Sequence, residues 1–527
     1  MPPRMYLALV AVLTSTFAVV GVGWSVLTPA FHAPDEPQHL NSTLRIMTGH
    51  GWPAPGEAYL TEGTVVAMQE AGFGSGYAVF TTDAQVPRFG RSVVTELDGP
   101  YPDADSPSYD QMTQHPPAYY ALWAALLTVL GADDWPWDDQ LLALRLLGVG
   151  LVSGVVPLAA GSARLLTGSS EVGTVAAAVP LAVPQFTHIA ATVSNDTLTT
   201  LAGAAVTYLV VRAMVLGTDG RTTVWTGIAL GVGLLTKGFL LAAIPLVAIA
   251  LLLAPRRGRA TTARTRLGSA LLALVIAFAI GGWWWLRNLV VHGTLQPSGA
   301  PEMLPDAESA VTTSTIEFLV AATVRLSQSF WGNFGWLDLA LPFWIVVGAQ
   351  LALLASAVGA AIWAIRNRRL RALTVCWLYP GAILAIVLVG AHANHQRTGL
   401  YPGLQGRYLF SAIVVIALTV ALATALLPPR HRWVLPPVAA TVAVAAACGA
   451  LVFAFIGMWG SDGAAVSVAA RRWSEWGFVP PAALALGSGL IVLLGLAAAT
   501  TALLAARRAR PAVTAEAREP ELSTVDA

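Results

Sequence analysis

The sequence predicts an all-α polytopic membrane protein of about twelve spanning helices with a large first extracytoplasmic loop. Three observations predict it. Of the 527 residues, 56% are hydrophobic and only 11% charged, and mean hydropathy is +0.64. No soluble globule hides that much apolar surface, so cytosolic enzymes, secreted domains and disordered scaffolds are excluded. The apolar residues come in runs long enough to cross a bilayer at about 1.5 Å per residue. The charges are segregated. Residues 31–140 hold fifteen Asp or Glu and three Arg. Arg is concentrated in short linkers at 256–266, 366–371, 430–432 and 507–510. By the positive-inside rule those linkers are cytoplasmic and the acidic loop is outside. A net charge of +1 gives no nucleic-acid signature. The two cysteines, Cys376 and Cys448, lie in apolar stretches and make no disulfide framework.

The first run, 5–27, exceeds the apolar core of a signal peptide and reads as an uncleaved helix. Further runs follow at 141–166, 172–192, 197–216, 224–254, 267–286, 338–363, 372–391, 408–427, 433–457 and 481–506. The fifteen-residue run 117–131 reads as interfacial or reentrant, because a full crossing there would turn Arg164 outward. The run 224–254 carries Lys237, the one lysine of the chain, at its middle. A lysine at the bilayer centre is costly, so the run reads as two short helices broken at Lys237. Every arginine linker then falls on the cytoplasmic side, as do both termini. The chain divides into a core, 1–290, that includes the loop 28–140, a set of C-terminal helices and outer loops, 291–506, and a disordered tail, 507–527.

The polar residues of interest gather on the outer segments. Asp35 and Glu36 follow the first helix between two prolines that stop it continuing. Adjacent carboxylates near low dielectric favour a raised pKa in one of them, which suits a general base. The structural alternative is a helix terminator and N-cap. His39, one turn on, is a candidate to orient the carboxylate or bind a metal, with a satisfied surface histidine as the alternative. His115, before Pro116-Pro117, is similar, with a loop histidine near a helix start as its alternative. Asp196, in Ser-Asn-Asp, reads on capping grounds as an N-cap for the next helix. Lys237, Arg287 and Arg407 are outer-end cations that either snorkel to headgroups or meet an anion. Trp283–Trp285 and the loop at Trp331 read as an aromatic belt, with sugar stacking as the alternative at 331–336. Residues 464–477 read as an interfacial amphipathic stretch. No phosphate loop, zinc spacing or nucleophile elbow is present.

The Asp-Glu pair after the first helix, His-Pro-Pro-x-Tyr-Tyr at 115–120, Asn195-Asp196 and Leu-Thr-Lys-Gly at 235–238 together resemble the GT-C superfamily. Its members include protein O-mannosyltransferases and the lipid A aminoarabinose transferase. Trp-Leu-Arg-Asn at 285–288, the segment 330–336 and Gln-Gly-Arg-Tyr at 405–408 look like a bacterial branch catalogued as a domain of unknown function. The resemblance covers residues 5–430. It implies a GT-C-like bundle in the bacterial plasma membrane and a sugar donor on polyprenyl phosphate. Transfer then occurs on the outer face, with inversion, to a hydroxyl of a glycan, lipid or protein. It implies Asp35 as base with Glu36 beside it. For the donor phosphate, residue chemistry ranks Arg407 first, for its planar fork after Gly406, then Lys237 at its helix break, then Arg287, whose alternative is to anchor its helix. His39, His115, Asp196, Tyr408 and Trp331 would support them. A divalent metal, if any, would sit at Asp35 and Asp196, but a single acid at the second position puts metal dependence in doubt. The competing readings are a transporter or flippase of a lipid-linked solute, which needs ionisable groups deep in its helices, and a non-catalytic envelope scaffold.

Overall fold

Among the described residues the regular structure is helical apart from one hairpin of two-residue strands and an isolated Tyr59–Tyr109 bridge. The computed structural model describes residues 1–73, 86–99, 109–255, 257, 262–299, 313–460, 466–480 and scattered positions between 482 and 504. The run expected at 481–506 is therefore described only in part, and the tail 507–527 lies outside the described residues.

The first helix, α1 (Pro3–Leu27), leads into a compact loop domain holding α2 (Glu36–Met47), α3 (Glu62–Glu70) and α4 (Ala118–Val129). The loop domain has its own core, in which Phe31, Leu40, Tyr119, Tyr120 and Trp137 are buried. A buried polar knot ties α2 to the end of the loop. Asp110 accepts from Asn41 Nδ2 at 2.6 Å, Ser42 Oγ at 2.8 Å and its neighbour Met112 N at 3.0 Å. The bundle continues with α5 (Trp137–Ser153), α6 (Val155–Thr167), α7 (Ser170–Ala182), α8 (Pro184–Ala190) and α9 (Asp196–Leu216). Then come α10 (Gly220–Leu234), α11 (Ala243–Leu253), α12 (Ala263–Ala277) and α13 (Trp283–His292). The set closes with α14 (Thr315–Trp331), α15 (Phe343–Arg366), α16 (Leu370–Thr398), α17 (Ile413–Thr424), α18 (Leu435–Gly460) and α19 (Val466–Trp476). The hairpin pairs β1 (Asn333–Phe334) with β2 (Leu339–Ala340).

Local chemistry sets many boundaries. Ser169 and Asp219 cap α7 and α10 through their side chains, and Ser314 with Glu317 forms a capping box on α14. Gly168 ends α6 in the left-handed region. Small residues let helices touch: a Cβ on Gly203 of α9 would fall on the Ser411 carbonyl, so the chain before α17 packs directly on α9.

Among the described residues, eight helical segments are long and apolar enough to cross a membrane, or nine counting α7 and α8, which meet at a 69° bend. This is fewer than the expected twelve. The run at 224–254 is broken as the lysine argument requires, but α10 and α11 are each too short to meet a spanning length. The run 117–131 is the short helix α4, packed on α2. Between the expected runs 267–286 and 338–363 lies a further helix, the seventeen-residue α14.

Connectivity places the site at one end of the bundle. At that end α1 finishes, α9 begins and the α10–α11 break falls; Trp459 Nε1 donates to Leu27 O at 2.7 Å and Gly406 N to Ser329 Oγ at 2.8 Å. At the other end Arg164 stacks on Tyr6, 4.7 Å from its centroid, and Thr218 N donates to Pro255 O at 2.7 Å. The helices bounding the arginine linkers 254–262, 367–369 and 425–434 turn at this second end, opposite the acidic loop domain.

Candidate active site

Two aspartates sit at helix starts and neither caps its helix. Asp35 precedes α2 in the left-handed region, at φ 62, and makes no side-chain capping bond. Asp196 opens α9, and its carboxylate likewise turns away from the helix terminus. The capping alternative for both residues is therefore not realised. Both side chains meet cations instead.

Arg407 Nη2 donates to Asp35 Oδ2 at 2.7 Å, and Lys237 Nζ donates to Asp196 Oδ1 at 2.7 Å. Arg407 Nη1 lies 3.8 Å from Asp196 Oδ2, which links the two pairs into a chain of alternating charge. Gln405 Oε1 accepts from Arg407 Nε at 2.6 Å, and Gln111 Nε2 donates to Asp35 Oδ1 at 3.2 Å. Each member is delivered by an interruption of regular helix. Lys237 is at the break between α10 and α11, in extended backbone. Arg407 begins the tight turn before α17, and Gly406 makes that turn possible, since a Cβ there would collide with the Phe330 backbone.

Asp35, Lys237 and Arg407 line one cavity of about 780 Å³, together with His39, His115 and Tyr408. Lys237 and Arg407 stand 5.9 and 5.7 Å from the Tyr408 ring centroid, so the aromatic face supports both cations. Burial works to raise the Asp35 pKa, but the Arg407 guanidinium overcomes it and holds the carboxyl below its ordinary value. This corrects the expectation of a raised pKa: the opposite charge, not the neighbouring carboxylate, dominates. Burial pushes His39 down to about 3, with the Asp35 charge opposing, and pushes His115 well below its ordinary value. Both histidines are neutral. His39 Nδ1 shares a 2.9 Å hydrogen bond with the Tyr120 hydroxyl, and His115 Nδ1 is buried without a partner.

Glu36 does not join this site. It is wholly buried against Arg145, which donates from Nε to Oε1 at 2.8 Å and from Nη2 to Oε2 at 2.6 Å. Arg145 also donates to the carbonyls of Ser25, Thr28 and Pro29, and Glu36 accepts from Val193 N. The pair clamps the end of α1, the start of α2 and the α8–α9 turn onto α5. Arg287 is exposed, stacks on Trp284 and does not line the cavity. Trp331 donates to Gln350 Oε1 at 3.0 Å and is also off the cavity, while Trp336 donates to Phe31 O. Arg407 donates from Nε to Gln405, from Nη2 to Asp35 and from Nη1 to the Pro34 carbonyl at 3.5 Å, whereas among the described residues Lys237 makes one hydrogen bond, to Asp196.

Sequence reasoning missed Arg145, Gln111 and Tyr120. Arg145 carried a usable signal: a guanidinium inside an apolar run requires a buried partner. Gln111 gave none. The residues proposed for a metal do not fit one. Among the described residues no group of three His, Cys, Asp or Glu is arranged to hold an ion, and the Arg407 guanidinium sits between Asp35 and Asp196.

The family described as "Predicted membrane protein (DUF2142)" matches residues 17–417. Among solved structures, ArnT from Cupriavidus metallidurans bound to undecaprenyl phosphate is similar at 15% identity and TM-score 0.48, over 95% of this chain and 75% of that one. Its apo state aligns at 16% identity and TM-score 0.48, over 95% and 74%. The Archaeoglobus fulgidus oligosaccharyltransferase in the apo form aligns at 12% identity and TM-score 0.46, over 90% of this chain and 57% of that one. No curated protein matches the chain.

Proposed function

The chain belongs to the DUF2142 family of predicted membrane proteins, and from that premise we propose that it is a membrane glycosyltransferase. It moves a sugar from a polyprenyl-phosphate donor to an acceptor hydroxyl. The observation that carries the reading is the contact of Asp35 with Arg407, on a cavity wall that also presents Lys237. Asp35 is the base, and Lys237 holds the donor phosphate.

The acceptor oxygen forms a bond to the anomeric carbon, its proton passes to Asp35, and the carbon–oxygen bond to phosphate breaks with its electron pair on phosphate. The donor phosphodiester is a monoanion and the leaving phosphomonoester gains about one further charge. Asp35 loses a charge in the same step. Its protonation frees the Arg407 fork as the phosphate needs a second cation, so the charge moves within one network. A sugar phosphate is a good leaving group and needs little acid catalysis. With Asp35 as the base, Asp196 held by Lys237 and Glu36 held by Arg145, no second carboxylate among the described residues lines the cavity to form a glycosyl-enzyme. A single displacement with inversion follows. The cavity opens at the end opposite the arginine linkers, which supports an extracytoplasmic site in a bacterial plasma membrane with both termini cytoplasmic. The acceptor, whether glycan, lipid or protein, is met from that side.

The test is release of prenyl phosphate from prenyl-phosphate sugars by purified protein supplied with envelope glycans and lipids. Asp35→Asn keeps the size and the left-handed backbone but removes the base. It should lower the rate by about 10²–10⁴-fold. Wild-type turnover by that variant, or no release from any prenyl-phosphate sugar, overturns the reading.

A further inference from the structure

The cavity has two unlike sides. Its charged side is Asp35, Lys237 and Arg407, which among the described residues are the only acidic or basic chains besides the histidines that line it. The remaining polar lining is uncharged: Gln111, Gln114, Gln296, Asn394, Gln405 and Tyr408. Three of the uncharged groups gather beside Lys237. Gln296 approaches so closely that a Cβ on Gly238 would lie 3.0 Å from its Oε1. Gln296 Nε2 donates to Gln114 Oε1 at 3.2 Å, which leaves the Gln114 amide nitrogen without a partner among the described residues. His115, next in sequence, is buried, with Nδ1 unpartnered and Lys237 as its strongest charged neighbour. The segment bearing Gln296 is held in place without side chains in the way: a Cβ on Gly299 would collide with the Gln111 backbone.

A phosphate on Lys237 sets its attached sugar against this group. Amides and a neutral imidazole offer both donors and acceptors, as hydroxyls require. An ammonium on the sugar would need a carboxylate, and among the described residues the one carboxylate lining the cavity is Asp35, held by Arg407. A sugar carboxylate would need a cation beyond the two that face the phosphate. Either charge would have no opposite charge beside it among the described residues, whereas hydroxyls pair with the amides and the imidazole.

We infer that Gln114, His115 and Gln296 form the subsite for the donor's sugar, and that this sugar is an uncharged polyhydroxylated ring without an amino or carboxylate group. The inference rests on the transferase reading and goes beyond it by naming the sugar class.

The experiment measures binding of four probes to the full-length protein in nanodiscs. They are a short-chain prenyl phosphate and its phosphodiesters with a hexose, an aminohexose and a hexuronate. The hexose probe should bind roughly tenfold tighter than either charged-sugar probe, in keeping with one or two hydrogen bonds at about 0.5–1.5 kcal/mol each. Gln114→Glu supplies the missing carboxylate and should raise aminohexose affinity roughly tenfold over wild type, a gain that misfolding cannot produce. Equal binding of the three sugars, or preference of the wild type for a charged one, overturns the inference and leaves the transferase reading standing. Failure of all four probes to bind overturns both.

Discussion

Asp35 and Glu36 are neighbours in sequence with the same functional group and opposite uses. The Asp35 side chain is 28% exposed and faces the cavity, while that of Glu36 is 0% exposed and faces Arg145. The Glu36 pair satisfies its donors and acceptors inside the protein: five hydrogen bonds leave Arg145, and Glu36 adds a backbone N–H. Nothing is left for a ligand. The Asp35 pair is open on one side, and its cation connects onward to Asp196 and Lys237. A closed ion pair fixes geometry, whereas an open one exchanges partners. The first holds the backbone from which the second works.

The sharpest way to break this contrast is Arg145→Ala. It strands the Glu36 carboxylate in a dry interior, which costs about 3–5 kcal/mol. Thermal unfolding in detergent should show a large loss of stability with little folded protein recovered. A variant as stable as wild type would mean that Glu36 is not closed off. Arg407→Lys acts on the open pair. It keeps the charge but cannot hold Asp35 and reach Asp196 together, at about 1.5–3 kcal/mol for a charged hydrogen bond. Transfer, read as kcat/KM, should fall roughly tenfold to a hundredfold while the melting temperature moves little. A larger loss of stability than of activity would make Arg407 another closed clamp.

Acidity separates the pairs further. Because Arg407 holds the Asp35 pKa below its ordinary value, the base stays ionised throughout the neutral range. The stabilisation from that ionisation is present above the unfolded value of about 3.9 and is lost as pH falls through the folded one. In Arg407→Gln, burial acts with less opposition, so the acid limb of kcat/KM should move upward. An unmoved limb would remove Asp35 as the titrating base. The smallest effect is at His39. Its pKa is pushed down to about 3 from 6.5, so between those values the unfolded chain binds a proton that the folded chain does not. Stability therefore rises with pH across that window. His39→Gln should flatten the acid side of the melting-temperature profile, and an unchanged slope would show His39 to be protonated in place.

Much of the plan was legible. Composition and run length give the all-helical membrane class, and a lysine in the middle of an apolar run gives the break between α10 and α11. Asp35, Lys237, Arg407, His39 and His115 were singled out from their positions and Tyr408 from the Gln-Gly-Arg-Tyr resemblance, and the structure gathers them on one cavity. What stayed hidden depends on distances along the chain. Glu36 and Arg145 are 109 residues apart, and Gln111 and Asp35 are 76 apart. Local pattern does not say which of two adjacent carboxylates takes the buried partner. Arg287 stood at a helix end like Arg407, and only packing reveals that it points out. The span count differs because α10 and α11 are short and the run 481–506 is described only in part, while the bend between α7 and α8 decides between eight and nine.

The left-handed backbone of Asp35 has a consequence for how this position would respond to selection. For most side chains that conformation costs about 1–2 kcal/mol, while glycine and, to a degree, asparagine adopt it readily. A saturation library at residue 35, sorted for protein abundance alone, would rank glycine and asparagine at or above the native residue. Sorted for sugar transfer, it would keep aspartate and discard both. Two rankings of one library that disagree at the top mark a residue retained for its chemistry at the expense of its conformation.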